Sequence, residues 1–329
     1  MRKIYTVLLL GTIFTISVVT SLLNVPMAMA VETEVVSKYV DANLPLADPS
    51  STMWKNATPV EVPLSGQVAI APKNLKPSVP GIRVRSLNNR KWLAFLLEWD
   101  DPTKDMGGAL LDFKDSVAIQ FPTEEGSPFY CMGQSGGSVE ILHWRADFQK
   151  DIEDGSLNAQ DIFPNMWNTI YPAGYESDFL SATGAGNAMS QLNRITPVED
   201  LVAGGAGTLT EQLHNDAVGW ADWADGKWRA VIGRPMVTAD GEDAQLDSGV
   251  STSFALAVWD GGKGEIDGKK AVSTWLNLKV EAPPRKLASN REGVTFSDLP
   301  KDRIFFTLSG FMILLGAVAG STWMFARRR

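Results

Sequence analysis

Seven segments of this chain alternate apolar and polar residues with a period of two, or carry β-branched and aromatic residues between turn signals. They are Gly66–Pro72 (GQVAIAP), Lys91–Asp100 (KWLAFLLEWD), Ser116–Pro122 (SVAIQFP), Ser138–Ala146 (SVEILHWRA), Lys227–Arg234 (KWRAVIGR), Thr252–Asp260 (TSFALAVWD) and Ala271–Val280 (AVSTWLNLKV). Joints rich in Gly, Pro, Asp and Asn separate them, as in Gly261–Gly268 (GGKGEIDG). Short strands with long connections favour an antiparallel β-sandwich over a βαβ architecture, and the class expected is mainly β. Pro197–Ala203 is the best candidate for a short helix, and Lys150–Gly226 reads as a strand-poor excursion over one end of the sandwich.

The two ends are of another kind. Arg2 and Lys3, an apolar run from Tyr5 to Val19 and the small-x-small triplet Ala28-Met29-Ala30 have the form of a secretory signal over residues 1–30. From Ile304 to Ala326 no residue is charged, and Arg327, Arg328 and Arg329 come at once after it. A helix over that stretch, at ~1.5 Å per residue, is long enough for a ~30 Å hydrocarbon core. The terminal arginines assign its far end to the cytoplasm. The expected organisation is a signal peptide (1–30), a β-sandwich domain (31–300) and a single-pass membrane anchor with a short basic tail (301–329). The domain then lies on the extracytoplasmic side of the cell membrane.

Composition narrows the chemistry. The whole chain carries 30 Lys+Arg against 38 Asp+Glu, a net charge of -8, and without Arg2, Lys3 and Arg327–Arg329 the basic count falls to 25. Such an acidic domain is not a nucleic-acid surface. A single cysteine, Cys131, excludes an intramolecular disulfide, a Cys-x-x-Cys zinc site and covalent haem attachment, and two histidines leave little for a His-rich metal centre. No nucleophile elbow, HExxH or phosphate-binding loop is present. Paired acids such as Asp100-Asp101 and Glu124-Glu125 suit solvated turns better than a hydrolase. On the residues alone, the expectation is a non-catalytic exported β domain, of which a ligand- or carbohydrate-binding module is one form. A sharper possibility is a buried prosthetic group, since Met132 offers a soft thioether beside the Gly-rich run 133–137.

The series SVAIQFP, PFYCMG, HWRAD, GTLT, DGKWRAVIGRPM and FALAVWDGGKGEIDGKKAVSTW, spread from about Gly66 to Val280, resembles the haem-binding γ subunits of ethylbenzene dehydrogenase-type enzymes. Those subunits accompany a molybdopterin-containing α subunit and an iron–sulfur β subunit. They hold one non-covalent haem b between a methionine and a lysine, and exchange electrons with carriers such as a c-type cytochrome. The resemblance implies Met132 as one iron ligand and Lys270 as the other, with Lys269 second and His143 as an imidazole alternative. Alternation favours Lys270, which shares the parity of Val272, Leu276, Leu278 and Val280. A ligating lysine must be a neutral amine, so it belongs in a dry pocket. Trp144, Trp259, Trp275 and Phe121 are candidate walls, and Arg145, Arg234 and Lys269 candidate partners for the propionates. The C-terminal anchor resembles the membrane-associated nitrite oxidoreductase version.

Overall fold

Alternation resolves into two β layers in the computed structural model, which describes residues 34–107, 111–124, 126, 128, 132–155, 164–165 and 194–284. The signal segment 1–30, Cys131 and the uncharged stretch 304–326 lie outside the described residues. Among the described residues no helix is long and apolar enough to cross a membrane. The chain divides into two units, Met1–Pro283 and Pro284–Arg329, and all the described strands belong to the first.

The elements in chain order are β1 (Glu34–Tyr39), β2 (Val60–Pro63), β3 (Ser65–Gly66), β4 (Gly81–Asn88), β5 (Trp92–Asp100), β6 (Ser116–Pro122), β7 (Val139–Arg145), α1 (Ala146–Asp154), β8 (Val198–Ala203), β9 (Thr210–Glu211), β10 (Val218–Ala224), β11 (Lys227–Pro235), β12 (Ser251–Trp259), β13 (Ala271–Val272) and β14 (Leu276–Val280). One layer runs β10-β11-β5-β4-β1-β14 and the other β12-β6-β7-β8-β9. β12 joins them: Ser251–Phe254 pair with β14, whereas Ala255–Trp259 pair with β6.

The fold is therefore mainly β and sandwich-like with little helix, as expected, but the pairing is mixed. β1 lies parallel to both β4 and β14, because the N-terminal strand slots between two strands that run the same way. Inward-facing residues of both layers interdigitate into one core. Phe95 of the first layer meets Phe121 of the second and Phe254 of the joining strand β12 at ring separations of 6.0 and 5.7 Å. Trp144 of the second layer meets Trp99 and Trp228 of the first at 6.3 and 5.0 Å. Such offset and tilted contacts add to the large area that aromatic side chains remove from water.

Four local expectations are corrected. Pro197–Ala203 forms strand β8, not a helix: the exposed edge of β7 takes it up in register, His143 opposite Glu199 and Leu142 opposite Asp200. That tertiary pairing overrides the helix-start look of a proline followed by acids. Part of the supposed excursion is thereby sheet, since β8, β9 and β10 all fall before Gly226. GQVAIAP is a strand only at Gly66, where β3 pairs β13; beyond it Gln67 folds back, its side chain accepting from the Ile70 N–H and donating to the Ile70 and Gly268 carbonyls. AVSTWLNLKV is two strands, interrupted at Ser273–Trp275, where Ser273 Oγ accepts from Leu256 N–H.

The core also encloses charge. Arg234 of β11 reaches across to Glu140 of β7 in an ion pair closed to water on both sides, with Asp243 3.8 Å from the same guanidinium. Asp200 on β8 faces this group and accepts from Gln212 Nε2 at 3.0 Å. Burial, reinforced by the charges of Glu140 and Asp243, pushes the Asp200 carboxyl up to about 9. Between the ordinary carboxylate range and about 9 the folded state then holds a proton that the unfolded chain has released, so stability falls as pH rises through that window. Asp200→Asn, which mimics the protonated form, should gain stability relative to the native chain between about pH 5 and about pH 9, measured by denaturant midpoints. Parallel pH profiles for the two proteins would contradict this assignment.

Candidate functional site

The second layer is covered on both faces. In β6, Val117, Ile119 and Phe121 enter the core while Ala118 faces outward; in β7, Leu142 and Trp144 enter the core while Ile141 and His143 face outward. The outward residues floor a cavity of about 740 Å³, within the ~300–1,000 Å³ range of cofactor-sized sites. Its floor is apolar, with Ala118, Ile141, Leu201, Trp259 and Val272, and one wall is the refolded segment Ser65–Pro72. Val68, Ile70, Leu209 and Ile266 stand at the cavity with much of their apolar surface exposed, an arrangement that favours an apolar occupant.

Met132 and Lys270, 138 residues apart in sequence, converge here: Lys270 Nζ lies 3.5 Å from Met132 Sδ and 4.9 Å from the centre of the Trp259 ring. Each is held by its backbone. Met132 sits at φ 73° in the left-handed region and its N–H donates to Gln120 Oε1 at 3.1 Å. A non-glycine residue in that conformation persists only where its surroundings over-determine it. The next residue must be glycine: Gly133 is at φ 75°, and a Cβ there would meet the Ala203 carbonyl oxygen at 2.5 Å. Lys270 is held through its carbonyl, which accepts from Gln67 N–H at 3.0 Å, and is 7% exposed. Trp259 is fixed by its indole N–H, which donates to the Asp267 carbonyl at 3.0 Å.

Lys270 does not share a face with the whole of the strand segment that follows it. Ala271, Leu276, Leu278 and Val280 belong to the sandwich core, whereas Lys270 and Val272 face the cavity. The interruption at Ser273–Trp275 exchanges the faces, so Lys270 lies opposite to the strand face with which it was grouped. Lys269 points elsewhere, its Nζ donating to the carbonyls of Lys263 and Gly264 at 2.9 and 3.1 Å. Trp144 and Phe121 are not walls of this cavity; both point into the core from the other face of the same layer. Trp275 packs against the apolar cluster under the cavity. Arg234 is inside the sandwich, and Arg145, which does line the cavity, is held by Asp147 and Glu199.

His143 lines the cavity beside Trp259, with ring centres 5.0 Å apart. Its Nδ1 meets Glu199 Oε2 at 3.1 Å, and burial pushes the imidazole below its ordinary range against the pull of Glu199. A neutral ring that donates from Nδ1 leaves Nε2 as an acceptor, and Nε2 is buried without a hydrogen-bond partner. His214 is exposed. Sequence reading missed Gln67 and Glu199, whose signals are only tertiary, and the loop residues Ile70 and Ile266, hidden in a segment that reads as a strand and in a turn.

The donor set fits a haem: a thioether and an amine meet over an apolar floor, in a cavity of suitable volume with an aromatic side chain alongside. Residues 51–271 match the ethylbenzene dehydrogenase family, and the chain belongs to that family. Curated relatives include a Haloferax mediterranei protein named for a respiratory nitrate reductase heme subunit (ORF7), 23% identical over 81% of this chain and 75% of its own length. The chlorate reductase subunit gamma of Ideonella dechloratans is 27% identical over 71% of this chain and 79% of its own. The dimethylsulfide dehydrogenase subunit gamma of Rhodovulum sulfidophilum is 23% identical over 56% and 54%. A family 9 carbohydrate-binding module from Caldicellulosiruptor kristjanssonii, solved with glucose, aligns over 78% of this chain and 99% of its own at 9% identity, but with a TM-score of 0.37 that likeness carries no argument.

The loop that presents Met132 is open to test. Gly136 is also at positive φ, 77°, but its Cβ position is empty space. Gly136→Ala should cost about 1–2 kcal/mol from backbone conformation alone. Gly133→Ala should cost a further ~2 kcal/mol, because the added carbon collides with backbone. Equal melting shifts for the two variants would show that the approach to Ala203 is not tight.

Proposed function

We propose that this chain is the electron-transfer subunit of a molybdenum oxidoreductase complex, carrying one non-covalent haem b in the cavity over β6, β7, β12 and β13. Met132 and Lys270 would hold its iron, and the observation that carries the reading is the convergence of Met132 Sδ and Lys270 Nζ, 3.5 Å apart, at the apolar floor of the cavity. Family membership and the relatives named as heme or gamma subunits support it. When bound, haem iron supplies a one-electron couple whose potential a thioether ligand raises. The chain's own groups do the rest. Met132 is oriented by its Gln120 contact, Lys270 presents its amine from a buried root, and Trp259 covers the side on which they meet. Burial of Lys270, 7% exposed, would favour the neutral amine that ligation requires.

In this reading a molybdopterin-containing α subunit performs the substrate chemistry and an iron–sulfur β subunit exchanges electrons with this chain. A c-type cytochrome is the external partner. The uncharged stretch 304–326 with its three terminal arginines supports a membrane anchor and an extracytoplasmic domain, and nitrite oxidoreductase is the specific system proposed.

The exported chain, produced with ample haem supply, should show a Soret band and a haem b pyridine haemochrome at one haem per chain. Met132→Ala and Lys270→Ala should each change the visible spectrum and the midpoint potential, while Lys269→Ala and His143→Ala keep the native axial signature. A colourless preparation, or a spectrum that responds to His143 and not to Lys270, would overturn the ligand assignment. For the anchor, the full chain should stay with membranes through an alkaline carbonate wash and a chain ending at residue 303 should be released; release of both would remove the anchor.

A further inference from the structure

At the end of the sandwich, where β5 leaves the first layer and β6 and β12 meet in the second, four aspartates converge. Asp101 follows β5, Asp115 precedes β6, Asp260 follows β12, and Asp105 lies in the connection between β5 and β6. Each offers a carboxylate oxygen, and these oxygens all lie within 4.8 Å of one another. Asp101, Asp115 and Asp260 are buried and Asp105 is half-buried. Among the described residues no salt bridge reaches them: Lys114 pairs with Asp147, Lys227 with Asp100, and Lys263 gives Asp260 its backbone N–H. Both Asp115 oxygens accept hydrogen bonds, from the N–H groups of Gly261, Asp105 and Trp228. Asp101 differs. Its Oδ1 accepts from Thr103, but Oδ2 is buried without a hydrogen-bond partner, on a residue 1% exposed.

The second acidic group, Glu140, Asp200 and Asp243, provides the contrast, because Arg234 stands among its carboxylates as a resident cation. Isolated buried charge is too costly to keep without a counter-charge.

The geometry points to a calcium site formed by Asp101, Asp105, Asp115 and Asp260. An all-oxygen, carboxylate-rich set selects a hard divalent cation. Oxygens that all lie within 4.8 Å of one another can share one ion, and four protein carboxylates suit Ca²⁺, whereas Mg²⁺ keeps several of its waters and takes only one or two carboxylates. The ion would tie the end of β5 in one layer to β6 and β12 in the other. It would also fix Asp260, the root of the loop that runs to Lys270 and whose Asp267 carbonyl holds Trp259. This inference does not depend on what fills the cavity.

The test uses the purified full chain, stripped with EDTA and titrated with Ca²⁺ or Mg²⁺, reading binding heat and melting temperature. The native chain should bind one Ca²⁺, melt several degrees higher with it, and respond far less to Mg²⁺. Asp101→Asn should weaken calcium binding about tenfold or more, yet melt in EDTA at or above the stripped native chain, because a repelling charge is gone. Asp105→Asn, at the half-buried member, should lose the calcium response without disturbing the Asp115 network. Four results would overturn the site: no calcium response in the native chain, an undiminished response in both variants, an equal response to Mg²⁺, or variants destabilised in EDTA as much as in calcium.

Discussion

One β layer that is buried on both faces is the constraint on which the rest of this structure depends. A strand alternates its side chains, so a layer with core on one side and water on the other needs apolar residues at every second position only. β6 is closed to water throughout: Val117, Ile119 and Phe121 fill the sandwich, and Ala118 and Gln120 face the other way. Something apolar must cover that outer face. The refolded segment from Gly66 to Pro72, the Met132 turn and the loop before Lys270 do so only in part, leaving a cavity with two donor side chains at its inner end.

Buried charge is handled by pairing wherever the chain supplies a partner. Arg234 serves Glu140 and Asp243 inside the sandwich, and Arg145 with His143 serves Glu199 beside the cavity. The Glu199 contacts matter to the site because they fix the imidazole tautomer. With Nδ1 occupied, the unpartnered Nε2 is the atom His143 presents. The same demand for a counter-charge, met by no salt bridge among the described residues at the four-aspartate cluster, is what the proposed calcium ion answers.

Much of this was legible in the residues, and the failures share one cause. SVAIQFP, KWLAFLLEWD and KWRAVIGR read directly as strands from their β-branched and aromatic residues, and the last two pair along their length as β5 and β11. The Met132 turn was marked by glycines whose backbone demands are real. Lys270 came from family resemblance; the alternation offered in its support assumed one unbroken strand through Ser273–Trp275, where two exist. Trp144 and His143 are sequence neighbours, so only one of them can face any given side, and adjacency alone does not say which. Pro197–Ala203 and Gly66–Pro72 were misread because local patterns carry no information about which strand edge is vacant or which loop folds back. Contacts across long sequence separations decided each case.

The central claim is that a thioether and an amine, brought together from distant turns, grip a single iron. Carbon-13 NMR of the haem-loaded, reduced protein with labelled methionine methyls tests it most directly, because a methyl on an axial sulfur sits over the porphyrin ring current. The account predicts one methionine methyl displaced far upfield of the others and absent from Met132→Leu. If every methionine methyl kept an ordinary shift in a haem-loaded sample, Met132 would not be a ligand and the claim would fail.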